Sequence, residues 1–315
     1  MAAETVVQTV GLTKWYRQRA VVDNLTLTVN KGDVYGFVGR NGAGKSTAMK
    51  MICGAVLPTG GGVELFGEPQ KPGTTSRRMG AMIEGPGIHP ELSGYDNVMV
   101  RALALGIANP KAAVQDALGC VGLDDAARKR AKTYSLGMKQ RLGLALALVG
   151  GPDLLLLDEP FNGLDPQGVR DIRTLILQLN ETRGVTVFVS SHVLDQLARM
   201  VTRYGVIREG KLVCELTAAE VERDCSDYLS IRTPQSARAL AVLQEAFPQV
   251  TCMVMPDGEI RAAVELAPED AANVLVGAGI PLAGLGVHGR DIEEFFVELM
   301  GIETADAGKG GGRRA

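Results

Sequence analysis

Aromatic side chains make up only 4% of this 315-residue chain, with a single Trp, and it holds just three His. Its core must therefore be aliphatic, and a hydrophobic share of 46% is ample for two domains of ordinary size. Long uncharged runs are equally scarce. The longest, 271–289, carries five glycines together with Asn273, Pro281 and His288, which excludes a membrane-spanning helix there. The opening residues Met1-Ala2-Ala3-Glu4-Thr5 lack the basic start and apolar stretch of a secretory leader, so a soluble chain is expected. Five cysteines (Cys53, Cys120, Cys214, Cys225, Cys252) are scattered and never spaced C-x-x-C. That pattern argues against a zinc knuckle or a disulfide framework and predicts free thiols in a reducing compartment. Net charge is −3, with no broad basic footprint for nucleic acid, and no nucleic-acid partner is expected.

Charge is unevenly spread. From Thr217 to Met300 there are fourteen Asp/Glu against five Arg and no Lys, a net of −9 that leaves +6 for the remainder. Two electrostatically different units are predicted to meet near residue 216: 1–216, and an accessory α+β domain over 217–300. In the second, strands are predicted at 227–233, 250–255, 260–266 and 282–288, with helices at 236–247, 268–276 and 291–300. The order β-α-β-β-α-β-α suggests a small ferredoxin-like layer. The Gly- and Arg-rich end, 301–315, reads as a disordered tail.

The stretch Gly39-Arg40-Asn41-Gly42-Ala43-Gly44-Lys45-Ser46-Thr47 meets the demands of a nucleotide-phosphate cradle. Glycines let successive backbone N–H groups converge on β- and γ-phosphates where a Cβ would block approach. Lys45 adds a point charge, and Ser46, at a helix start, can ligate Mg²⁺ while the helix dipole faces the phosphates. An ordinary Gly-rich turn is the bland alternative. The apolar run Val34-Tyr35-Gly36-Phe37-Val38 before it and Ala48-Met49-Lys50-Met51-Ile52 after it supply the strand-loop-helix setting that the motif requires.

Further on, Leu154-Leu155-Leu156-Leu157 is a run of strand length ending in Asp158-Glu159-Pro160. Such a strand is expected to be covered on both faces, with its carboxylates at the C-terminal edge where open α/β sheets bind ligands. Neighbouring strand residues point to opposite sides, so the two acids are given different tasks. Asp158 is assigned to Mg²⁺, and Glu159 to polarising the water that attacks the γ-phosphate.

Three more pieces carry a family resemblance. Tyr134-Ser135-Leu136-Gly137-Met138-Lys139-Gln140-Arg141 resembles the signature sequence of ATP-binding cassette (ABC) proteins, with Leu136 for the usual first glycine and Met138 for the glutamine. Asn162-Gly163-Leu164-Asp165-Pro166 is similar to the D-loop, with Asp165 its acid, and Ser190-Ser191-His192 ends a strand as the family's switch histidine does. With the Ile83-Glu84-Gly85-Pro86-Gly87 stretch and Leu92-Ser93-Gly94-Tyr95-Asp96-Asn97, the chain resembles the bacitracin, lantibiotic and multidrug exporter branch (ABC-2 type).

That resemblance implies an α/β P-loop NTPase of the ABC type: a mixed RecA-like core, an antiparallel β-subdomain and a helical arm over about 85–150, followed by the small α+β domain. It implies ATP hydrolysis with ATP and Mg²⁺, with Glu159 and His192 catalytic, His192 at the γ-phosphate. Ser135, Leu136, Gly137 and Met138 would act in trans on the nucleotide of a second ATP-binding subunit in a homodimer. It implies an adenine platform at Tyr16, with Trp15 the alternative, and a third metal residue, Glu84, where most of the family has glutamine. An exposed loop carboxylate with no metal role is the other reading of Glu84. The partner implied is a separate integral-membrane permease at the cytoplasmic face of the inner or plasma membrane, moving an antibiotic or antimicrobial peptide. A soluble or regulatory ABC ATPase is the competing class. The interval from Ser46 to Ser135 shows no sustained heptads of the kind inserted in DNA-repair versions, and there is one cassette, not two.

Overall fold

The computed structural model describes residues 4–71, 73–198, 200–263, 265–289 and 291–301. In chain order the elements are β1 (Thr5–Tyr16), β2 (Arg19–Asn30), β3 (Val34–Val38), α1 (Lys45–Ile52), β4 (Gly60–Leu65), β5 (Glu68–Pro69) and β6 (Met79–Met82). There follow α2 (Gly94–Ala104), α3 (Pro110–Cys120), α4 (Leu136–Leu148), β7 (Leu154–Asp158), α5 (Pro166–Arg183), β8 (Thr186–Ser191), α6 (Leu194–Leu197), β9 (Arg203–Arg208) and β10 (Lys211–Thr217). The remainder comprises α7 (Ala218–Asp224), β11 (Tyr228–Arg232), α8 (Ser236–Ala246), β12 (Cys252–Val254), β13 (Ile260–Ala263), α9 (Pro268–Gly277), β14 (Gly284–His288) and α10 (Ile292–Leu299).

The contacts divide the chain into two units, the first running to Ala218 and resuming at Leu299, the second spanning Ala219–Glu298. The charge step at 216 thus falls two residues before the first break, and the chain from Leu299 groups with the first unit. The expected disordered tail lies, after residue 301, outside the described residues.

In the first unit, β2-β1-β4-β5 form an antiparallel sheet and β10-β9-β3-β8-β7-β6 a mixed one. The strands β9, β3, β8, β7 and β6 run parallel, with β6 at the edge, Met82 opposite Leu157 and Asp158 opposite Ser190. The four leucines of β7 are wholly buried, as a strand covered on both faces demands. Each contributes about 1.5–3 kcal/mol relative to an exposed leucine. Scarce aromatics are concentrated here: Phe188 stacks on Tyr35 at 5.1 Å and meets Phe37 at 5.3 Å. The core cluster joins Leu25, Leu27 and Val29 of β2 to Met49 and Ile52 of α1 and Leu154 and Leu156 of β7, so α1 is packed against both sheets. That packing fixes the loop between β3 and α1, where the nucleotide chemistry was read.

The helices α2, α3 and α4 follow their capping signals. Ser93 accepts from the Asp96 amide, Asn109 accepts from the Ala112 amide and Pro110 opens α3 at a position needing no N–H donor. This pair sets the start of α3 at Pro110.

In the second unit the sheet order is β12-β13-β11-β14, every pair antiparallel. Leu229, Ile231, Ile260 and Ala262 bury one face of the sheet with Ala239 and Leu243 of α8 and Leu275 of α9. β12 is shorter than the expected 250–255, because the Val250 amide is taken by the Phe247 carbonyl at 3.0 Å as the chain leaves α8.

Candidate functional site

β3 is buried along its whole length and delivers the chain to the glycine loop at the sheet's C-terminal edge. A Cβ on Gly39 would stand 2.5 Å from the Ile207 carbonyl oxygen, and Gly44 has φ +108 with the Val21 carbonyl 2.6 Å from any added Cβ. Only glycine fits at either place. Lys45 is 5% exposed, and its Nζ donates to the carbonyls of Gly39 (2.6 Å) and Arg40 (3.3 Å). No side chain caps the N-terminus of α1, so its first amides remain available to an anion. Ser46 and Thr47 stand in this first turn, both half-buried.

The acidic pair is set by β8. Ser190 Oγ donates to Asp158 Oδ1 (2.6 Å) and accepts from the Glu159 amide (3.0 Å), fixing a buried carboxylate and the turn after it with one hydroxyl. Glu159 itself has φ +50, which sends its side chain away from that of Asp158 and toward the loop. Its Oε1 lies 3.2 Å from Lys45 Nζ, and its Oε2 lies 2.8 Å from His192 Nδ1. Oε1 is buried and makes no hydrogen bond beyond that ion pair, which turns it toward the phosphate loop. The structure therefore brings Lys45, Glu159 and His192 into contact and ties Asp158 to the Glu159 backbone through Ser190. Ser190 was missed by sequence reasoning; the signal was a hydroxyl at the end of the strand paired with β7.

Signature and D-loop residues meet elsewhere. Ser135 Oγ accepts from the Met138 amide (3.3 Å) as the N-cap of α4, and Asp165 Oδ1 accepts from the Gly168 amide (2.8 Å) as the N-cap of α5. Both helix starts open onto one recess of 610 Å³, lined among others by Ser135, Leu136, Gly137, Met138, Gly163 and Asp165. Leu136, the departure from the usual glycine, is 48% exposed there, and its Cδ2 would be 3.0 Å from a Cβ on Gly163. Tyr134 anchors the approach: it is buried, its hydroxyl donates to the Ala126 carbonyl at 2.7 Å, and burial pushes its phenol pKa up. None of residues 39–47 lines this recess.

Glu84, with φ +61, is exposed and ion-paired to Lys50. Tyr16 and Trp15 are both about half exposed, and Lys14 Nζ sits 5.1 Å from the Tyr16 ring centre. Consecutive residues on β1 present their rings to opposite sides, so at most one of them serves a given base.

The family model described as ABC transporter matches residues 22–162. Bacitracin transport ATP-binding protein BcrA of Bacillus licheniformis is 38% identical over 303 residues, 95% of this chain and 99% of that protein. The chain belongs to the ABC transporter family. The cassette is also 39% identical over 205 residues, 65% of this chain and 88% of the other, to lantibiotic transport ATP-binding protein SrtF of Streptococcus pyogenes. A solved dimeric ATP-binding cassette in a post-hydrolysis state, bound to ADP and Pi, shares the fold with a TM-score of 0.61 at 24% identity, covering 67% of this chain and 98% of that one. The protein is the ATP-hydrolysing subunit of an ABC transporter, with a P-loop core and a small α+β unit after it.

The donor set of the cassette fits a magnesium nucleotide better than a free metal ion. No group of three or more His, Cys, Asp or Glu among the described residues is placed to hold a metal. A cation bound through Ser46 and Asp158 would need nucleotide oxygens to complete its shell, which is how Mg²⁺ is usually held beside phosphates. Among the described residues no helix is long and apolar enough to cross a membrane.

Proposed function

We propose that this cassette powers export of an antibiotic or antimicrobial peptide, working as a head-to-tail homodimer on a separate integral-membrane permease at the cytoplasmic face of the membrane. The observation that carries the reading is the match to BcrA, which runs through the second unit and covers 99% of that protein. The SrtF match points to the same branch.

In this reading ATP is the substrate and lies along the glycine loop, with the first-turn amides of α1 and Lys45 facing its β- and γ-phosphates. Ser46 and Asp158 would hold Mg²⁺ with it, and the ion would supply countercharge to the phosphate oxygens. Glu159 orients the attacking water and takes its proton, and His192 holds the Glu159 carboxylate in line through the 2.8 Å contact while reaching the γ-phosphate. Ser190 keeps both acids in register. Because the signature recess contains no loop residue of its own chain, Ser135 and Gly137 serve the nucleotide of the partner subunit. Their helix start places amides and a dipole against that phosphate. Asp165 holds α5 against the same recess. Tyr16 is the adenine platform, and Glu84, paired with Lys50 in the structure, would turn to the metal only once nucleotide is bound. Closing of the pair on ATP then turns the arm formed by α2, α3 and α4, whose exposed Val100 and Leu103 offer apolar surface toward the permease.

Co-expression with a candidate integral-membrane permease tests the reading. The two should purify together, and cells should gain tolerance to a peptide antibiotic that is lost with Glu159→Gln. A permease complex that forms while tolerance to every peptide tried stays unchanged would leave the ATPase standing and remove the export assignment.

A further inference from the structure

Lys50 is part of no motif, yet it grips the one residue by which this cassette departs from most of its family near the metal. The parallel register sets Met82 opposite Leu157, so the chain leaving β6 carries Glu84 to the same sheet edge where the chain leaving β7 carries Asp158 and Glu159. Lys50 reaches that edge from α1. It lies four residues beyond Ser46, and residues so spaced share one helix face. A carboxylate carried to the edge that holds two others is balanced by a countercharge where an amide needs none, and the Lys50 ammonium, 28% exposed against 63% for Glu84, supplies it. Glu84 is held in the left-handed region with φ +61, between β6 and a Gly-Pro-Gly step in which Gly85 has φ +130 and Gly87 φ +58. Pro86 in turn bears directly on α4: a Cβ added to Gly143 would stand 2.6 Å from the Pro86 Cβ and 2.7 Å from Met82 Sδ. The Glu84 carboxylate is thus one end of a short lever whose other end rests on the helix that opens with the signature residues.

We propose that Lys50 is a positioning residue that holds the Glu84 carboxylate away from the metal side of the nucleotide site, so that magnesium nucleotide must draw Glu84 from Lys50 as it binds. The inference rests on the ATPase reading of the site. A partly exposed ion pair is weak enough to be exchanged for a divalent cation. Nucleotide without metal has no means of making the exchange.

The test measures ATP affinity of the full-length chain by equilibrium competition against a fluorescent ATP analogue, once with excess Mg²⁺ and once with EDTA. The readout is the ratio of the two dissociation constants. Lys50→Met should raise the magnesium advantage about threefold, Lys50→Arg should keep the wild-type ratio, and Lys50→Met made in a Glu84→Gln background should leave the ratio of that background unchanged. A folded Lys50→Met chain, judged by its melting temperature, that shows the wild-type ratio overturns the proposal. So does a shift of equal size in the Glu84→Gln background. Lys50→Gln is the second variant should the methionine destabilise α1, with the same expectations. Wild-type chain that binds no ATP in either buffer would overturn the reading of the site itself, a result distinct from either.

Discussion

At Glu159 a non-glycine residue sits at φ +50, and one of its carboxylate oxygens is buried without a hydrogen-bond partner. The backbone conformation costs on the order of 1–3 kcal/mol, and it holds the carboxylate where one oxygen pairs with Lys45 and the other with His192. Glu159→Gln keeps the shape and removes the base. Single-turnover hydrolysis should slow by about 10²-fold or more while ATP affinity is retained, since the loop amides and the Lys45 ammonium remain and Lys45 loses only its ion pair with Glu159. Equal loss of binding and hydrolysis would show that Glu159 serves the loop's structure instead. The acids were legible in the sequence because a leucine run ended in them. Ser190, which sets both, was not, since its partner is 32 residues away from it in sequence and is reached only through strand register.

Among the elements, α4 and α5 show how much of the site is helix-end chemistry. Ser135 and Asp165 were read as functional residues, and in the fold each is also an N-cap. Asp165→Ala should cost about 1 kcal/mol, read as a lower midpoint in urea unfolding, whereas Asp165→Asn, which can still accept from the Gly168 amide, should restore most of it. If Asp165→Ala melted like the wild type, the cap would contribute nothing and the residue's role would lie wholly in the dimer. Secondary structure around the site followed from local patterns: caps for α2, α3 and α4, continuous apolar runs for β3, β7 and β8. What local pattern could not show was adjacency. The shared recess of residues 135–138 and 163–168 depends on the chain running out through α4, back through β7 and into α5. The Lys50–Glu84 pair likewise depends on α1 packing against β7, the strand next to β6. Neither leaves a periodic signature. The choice between Tyr16 and Trp15 stayed open for a simpler reason: both rings end a hairpin strand, half exposed.

For the molecule as a whole, the two units hold separate aliphatic cores, and an acidic balance marks the second. Within it, Glu259 is buried against Ser230, with Arg261 at 3.0 Å and Arg232 at 3.4 Å, and the Ser230 hydroxyl first, then the arginines, hold its carboxyl below the usual range. In the first unit, the Arg183 guanidinium does the same for Asp116. A folded-state pKa below the unfolded one gives stability that is fully present above the unfolded value, about 4.3 for Glu, and is lost as pH falls through the folded value. Thermal melts should therefore drop between about pH 4.3 and more acid conditions, and Glu259→Gln should be flatter over that window than the wild type. A Glu259→Gln chain with the same acid slope would place the lability elsewhere.

The central claim is that one chain supplies the phosphate loop and another the signature that completes it. It is tested most directly by measuring ATPase rate per subunit against protein concentration, with Glu159→Gln as the blank. A composite site predicts that the rate per subunit rises with concentration and levels off as the pair saturates, and that adding the signature variant Ser135→Arg to wild-type chain depresses it. A rate per subunit that stays constant to the lowest measurable concentration and ignores the added variant would contradict the account.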